Sequence, residues 1–477
     1  MLIAIKKEEW LGNIKNDILA GMVTSIALIP EVIGFALIAG VNPMTALFAS
    51  VTTALVTSLT GGRPAMVSAA AGSMALVMVN LIKNHGIHYM VAATILTGII
   101  QLVLGYLGIQ KLMKFIPKSV MLGFVNALAL LIFTAQIQQL LGSSLPAYLM
   151  VGLTIALMYT IPKVIKSVPP ALIAIILMTA ASIFLPLGVQ TVGDMGDMSG
   201  GLPHLALPAI PLNFETLAII FPTALALSIV GLLESLLTAP IVDEMTQTTS
   251  DQQREVKSQG LANIITGFLG GPAGCAMIGQ AVINVKSGGR KRLSTFTAGL
   301  FLLFLIVVLK GLMIQIPTAA LIGIMITVAI ATFDWSSFHY VKTVHITEGA
   351  IMILTVAIVL YTHNLAIGVV TGVILSIIAF IAKISTIDVV KEGTRFMIHG
   401  QLFFASTHDF MKAFEEPLAE KLVILDFTHS HIWDDTSVEA ILTVVKKLKA
   451  QDVEVQLEGL NTQSHQLLEK LKDYFSD

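Results

Sequence analysis

The sequence predicts a polytopic α-helical membrane protein of fourteen segments in 7+7 inverted repeats with two half-helices, followed by a small cytoplasmic α/β domain. Three observations carry this. Its 477 residues are 55% hydrophobic and only 12% charged, with a mean hydropathy of +0.85, against roughly 25% charged residues in soluble domains. Apolar runs near the ~20 residues that cross ~30 Å of hydrocarbon follow one another through most of the chain. A pair of Gly/Pro-interrupted stretches recurs in corresponding places of the two halves.

The apolar runs fall at 17–40, 43–60, 66–82, 88–109, 119–141, 145–161 and 168–187. After a polar Gly/Pro-rich loop at 188–213 they resume at 214–240, 256–270, 273–287, 294–312, 316–333, 346–363 and 365–384, two of the fourteen being incomplete as spans. The opening MLIAIKKEEWLGNIKN lacks the apolar core and small-residue cleavage site of a secretory signal, so the first span is expected to stay as an uncleaved anchor. Lys and Arg beside spans are retained in the cytoplasm. With the N-terminus inside, the basic residues from Lys6 and Lys7 through Lys163, Lys166 and the 286–292 cluster to Lys383 fall inside, and only Lys83 and Lys310 outside. Both termini are therefore expected in the cytoplasm and the protein in the plasma (inner) membrane.

The division is expected at 388/389, with repeats of about 17–187 and 214–388 and a soluble domain at 389–477. In that domain RFMIHGQLFFAS, KLVILDF and VEVQLEG read as strands, and VEAILTVVKKLKAQ and HQLLEKLKDYF as helices.

The sequences GGRPAMVSAAAGSMALV (61–77) and GGPAGCAMIGQAVINV (270–285) share Gly-Gly, Pro-Ala, small residues and an apolar helical run. They occupy the third segment of each half and are entered from opposite sides, a pattern that points to a transporter's central site. Unwound backbone cannot face lipid, so it must be buried or line a watery cavity. A half-helix starting there presents free N–H groups and about half a positive charge, which suits an anion. The small residues Ser68, Ala69, Ala70, Ala71, Gly72, Gly274, Cys275, Ala276, Met277 and Ile278 would let a ligand approach that backbone, with Gln280 following. Helix packing through small residues explains the same composition.

Two carboxylates lie inside spans: Glu31 in LIPEVIGFALIAG and Glu234 in VGLLESLLTAP, each in the first segment of its half. Ionisable groups at that depth cost at least ~2.5 kcal/mol on insertion scales and mark an ion or substrate path, or else a protonated structural acid between helices. Burial and a bound anion both favour the neutral form of Glu234, so substrate and proton would bind together. Sodium is the rival coupling ion, with Ser235, Thr238 and unwound carbonyls as its oxygens. The lone Cys275 excludes an intramolecular disulfide and Cys-rich metal sites, all eleven His lie outside span interiors, and no GxxxxGK[ST] occurs. No cofactor, resident metal or nucleic-acid partner is expected.

IPEVIGFALIAGVNP, GLLESLLTAPIVDEMT, QGLANIITGFLGG and INVKSGGRKRLS resemble the SulP inorganic anion transporters over essentially the whole chain, and the C-terminal region is similar to STAS domains. The resemblance implies a core and a gate domain, a homodimer, and an anion held between the third and tenth helices, flanked by the first and eighth. On this chain that places substrate around Ser68 to Gly72 and Cys275 to Ile278, with Glu31 and Glu234 beside it. Glu31 stands where many relatives have Gln, and Gln280 where many have Arg. In the STAS-like region, DDTSVEA (434–440) places Ser437 where related domains carry a phosphorylatable serine; capping by Asp435, Thr436 or Ser437 explains the same residues.

The function expected is secondary active transport of a small inorganic or carboxylate anion (sulfate, bicarbonate or a small dicarboxylate), proton-coupled through Glu234. The alternatives are a sodium-coupled bicarbonate transporter, a membrane scaffold whose STAS-like domain recruits a cytosolic partner, and a nucleobase permease, which would not usually carry that domain. An enzyme is not expected.

Overall fold

A computed structural model describes residues 6–165, 168–185, 187–195, 205, 207–211, 213–416, 420–472 and 474; Lys166 lies outside them. Fourteen helices match the fourteen apolar runs. The first half comprises α1 (Ile14–Ala39), α2 (Pro43–Thr60), α3 (Gly72–His85), α4 (Ile87–Leu107), α5 (Lys118–Leu140), α6 (Leu145–Val164) and α7 (Pro170–Phe184). The second comprises α8 (Phe214–Thr246), α9 (Gln252–Phe268), α10 (Ile278–Lys286), α11 (Arg292–Met313), α12 (Thr318–Thr332), α13 (Ile346–Thr362) and α14 (Leu365–Ile384). Among the described residues, nine helices are long and apolar enough to cross a membrane.

Local chemistry sets several ends. Asn42 Oδ1 accepts from Met44 N at 2.9 Å, and Pro43 takes a first-turn position where its missing N–H costs nothing. Gly40 and Gly108 close α1 and α4 in the left-handed conformation (φ 71° and 80°).

The boundaries differ from the apolar runs where packing overrides hydropathy. The third and tenth helices begin only at Gly72 and Ile278, because the residues before them are extended and form a short antiparallel pair, β1 (Ser68–Ala69) with β2 (Cys275–Ala276). Helix α8 runs past Pro240 to Thr246, because its polar end is bonded inside the protein: Asp243 pairs with the buried Arg63 at 3.1 Å and accepts from Ser250. A short helix, Ser337–Thr343, intervenes between α12 and α13.

Packing repeats between the halves. Helix α11 lies on α1 and α2, and its counterpart α4 lies on α8 and α9. At the α4–α9 crossing a Cβ on Gly98 would fall 2.5 Å from Gly260 O, and one on Gly260 would fall 2.7 Å from Gly98 O, so the backbones touch. A second group joins α5 to α12 and α13, and α6 to α7 and α12.

The chain divides into two compact units, Met1–Val373 and Ile374–Asp477. The second holds a four-stranded sheet in the order β3 (Asp388–Glu392), β4 (Arg395–Leu402), β5 (Leu422–Ile432), β6 (Glu454–Glu458). Its first pair is antiparallel and the other two are parallel. Helices α15 (Thr407–Lys412), α16 (Asp435–Lys449) and α17 (Thr462–Lys472) belong to the same unit. Its core gathers Phe396, Phe410, Phe414, Leu425, Phe427 and Ile441.

Candidate functional site

The two interrupted stretches meet. Ser68 pairs with Ala276 and Ala69 with Cys275, and Met277 N donates to Val67 O at 3.0 Å. Backbone groups that no helix could satisfy are thereby satisfied across the two halves. A Cβ on Gly274 would lie 2.6 Å from Ala69 O, so only glycine permits this approach. Side chains from α9 lock the pair: Gly274 N donates to Asn263 Oδ1 at 2.8 Å, Asn263 Nδ2 donates to Gly274 O at 3.0 Å, and Gln259 Nε2 donates to Ser68 Oγ at 2.8 Å. Ala70 N donates to Ser50 Oγ at 3.1 Å.

From this pair α3 and α10 depart, and neither has a side-chain cap at Ala71 or Met277. Their first-turn N–H groups are the orphan donors of a helix start. Gly72 and Ser73 of α3, with Met277, Ile278 and Gly279 at the start of α10, line a cavity of about 340 Å³. Glu31 and Phe35 of α1 and Glu234 of α8 line it as well. The opposite wall is Phe124, Val125, Leu128 and Ile132 of α5 with Val328, Ala331 and Thr332 of α12. The cavity thus lies between the two groups of helices. No Lys, Arg or His is among its described lining residues.

Glu234 is 7% exposed. Its Oε2 accepts from Ser73 Oγ and, at 3.3 Å, from Cys275 Sγ, whereas its Oε1 has no hydrogen bond among the described residues. Ser235 Oγ accepts from Ala276 N at 3.1 Å and donates to Gly231 O at 2.8 Å. Thr238 Oγ1 donates to Glu234 O at 2.7 Å. These two hydroxyls hold β2 and the helix backbone. Gln280 is fully buried beside Glu31, with neither amide atom completing a hydrogen bond.

Of the residues singled out in the sequence, Glu31, Gly72, Glu234, Met277 and Ile278 therefore line the cavity. Ser68, Ala69, Ala70, Ala71, Gly274, Cys275 and Ala276 are buried in or beside the strand pair that positions it. Sequence reasoning missed Ser73, the opposite wall on α5 and α12, and the amides Gln259 and Asn263. Those two amides stand four apart on one face of an apolar span, a signal present in QGLANI.

In the soluble unit the cap of α16 is Asp434 and not one of its three successors, a correction set by the extended backbone at 434. Asp434 Oδ1 accepts from Ser437 N at 2.9 Å and from Ser437 Oγ at 2.6 Å, and Ser437 is fully buried. On the same sheet, Asp426 accepts from Thr428 N at 2.9 Å, from the Thr428 hydroxyl at 2.5 Å and from Arg395 at 2.5 Å. The Thr428 bonds first, then Arg395, pull its carboxyl down to about 2.

Comparison with known proteins agrees with this architecture. The sequence profile of the Sulfate permease family matches residues 14–148 and 143–357, and that of the STAS domain matches 386–474. YbaR of Bacillus subtilis (strain 168), which carries a provisional sulfate-transporter name, is 51% identical over 98% of both chains. The bicarbonate transporter BicA of Picosynechococcus is 26% identical over 80% of this chain and 73% of its own. The solved transmembrane domain of a cyanobacterial BicA superposes with a TM-score of 0.68 at 24% identity, over 79% of this chain and 99% of that one. SLC26A9 superposes at 0.81 and 16% identity, over 98% and 88%.

Proposed function

Because the chain belongs to the sulfate permease family of membrane anion transporters and ends in a STAS domain, we propose that it moves a small anion by proton-coupled alternating access, with Glu234 carrying the proton. The observation that carries this is Glu234 held between Ser73 and Cys275, at the junction of two uncapped half-helix starts. The N–H groups of Gly72, Ser73, Ile278 and Gly279 receive the anion. Burial among apolar walls makes its negative charge and that of Glu234 mutually unfavourable unless a proton arrives too. Sodium is the weaker reading, since neither Ser235 nor Thr238 is among the described lining residues of the cavity.

The walls on α5 and α12 belong to the second group of helices, which takes the part of the gate, so displacing that group against the other opens the cavity to one side and then the other. The names of the relatives make sulfate and bicarbonate the first anions to test, with a small dicarboxylate beside them. The protein acts as a homodimer with both termini in the cytoplasm, as loop charge and family resemblance suggest.

The test is uptake of labelled anions into proteoliposomes under separate pH and sodium gradients. A pH gradient should drive uptake in the parent protein and drive it much less in Glu234→Gln. Proton-driven uptake that this substitution leaves unchanged would remove Glu234 from the role.

A further inference from the structure

Both membrane carboxylates reach one cavity, Glu31 from α1 and Glu234 from α8. Every element around them contributes neutral groups. Helix α3 supplies Gly72 and Ser73, α5 and α12 supply apolar side chains and Thr332, and α10 supplies Met277, Ile278 and Gly279. Cys275 touches Glu234, and Gln280 faces Glu31 with both amide atoms unpartnered in a fully buried side chain.

We propose that Glu31 is a second proton carrier, so that a divalent anion crosses with two protons, one on each carboxyl group. This rests on the transport reading above and deepens it. With both carboxylates ionised, the empty cavity holds two negative charges; a dianion raises this to four, with no Lys or Arg among the described lining residues to offset them. Two protons return the loaded site to two negative charges, the same as the empty one. The carrier then reorients at constant charge in both directions. One dianion and two protons move together, no bond is broken, and no net charge crosses.

Proteoliposomes holding the full chain, a pH indicator and labelled sulfate or succinate measure the ratio directly. The expected result is two protons per dianion, with uptake unaffected by an imposed membrane potential. In Glu31→Gln the ratio should fall to one, and an inside-negative potential should then slow uptake. A ratio of one in the parent protein, an unchanged ratio in Glu31→Gln, or transport of bicarbonate with neither dianion moving would overturn the proposal. Anion uptake with no proton flux would instead overturn the proton-coupled reading itself.

Discussion

Asn263 grips Gly274 at two points, accepting from its N–H at 2.8 Å and donating to its carbonyl at 3.0 Å. One amide side chain on α9 thus stands in for the hydrogen bonds that unwound membrane backbone would otherwise lack. The same Nδ2 also donates to Gln101 Oε1 at 2.8 Å, so α4 shares in the clamp.

Replacing Asn263 with Ala leaves those groups buried without partners, and each such group costs about 1–3 kcal/mol. Asn263→Ala is expected to lose at least about 2 kcal/mol on this basis and most of its anion uptake. Thermal unfolding in detergent and proteoliposome uptake check the two effects. Retained uptake with only lowered stability would show that β2 keeps its place without the clamp.

Gly260→Ala should be destabilising because its Cβ would meet Gly98 O and Leu102 N, both backbone of α4 and both 2.7 Å away. Backbone cannot turn aside as a side chain does. Overpacking of this kind costs about 1–3 kcal/mol, read as a lower unfolding temperature. Gly279→Ala, where a Cβ meets nothing within 4 Å, should leave that temperature unchanged.

The STAS domain should lose stability in acid through Asp426. Its folded pKa of about 2 lies below the ordinary value of 3.8, so its contribution is complete above pH ~4 and is lost as the pH falls toward ~2. Trp433 fluorescence in the full chain, with Trp10 and Trp335 replaced by Phe, follows the transition. In Asp426→Asn the domain should be less stable at neutral pH, with a flatter dependence between those limits.

Phosphorylation of Ser437 would require the first turn of α16 to open, since its hydroxyl is buried against Asp434. A phosphate there would also face that carboxylate across hydrogen-bond distance. Ser437→Asp is therefore expected to destabilise the domain more than Ser437→Ala. The same Trp433 signal in urea checks the order, and equal midpoints would mean that the turn already opens freely.

Apolar length is a local property, which is why all fourteen helices are legible as runs in the sequence. Glu31 and Glu234 stand out for the same reason, as charges inside apolar segments. The start of α3 was less legible: hydropathy begins it at 66, whereas pairing with β2 holds the chain extended until Gly72. Ser73 resembled any other small residue until α8 placed Glu234 beside it.

The sequence by itself determined the class of protein, the two-half plan, the paired interruptions and the acids near them, because each follows from composition or from spacing along one segment. Only the tertiary structure decided which of those residues face a shared cavity and which merely hold it in shape. That choice depends on groups from α1, α3, α5, α8, α9, α10 and α12 converging in space. Hydrogen bonds and close approaches between residues far apart in the chain have no periodicity from which they could be read.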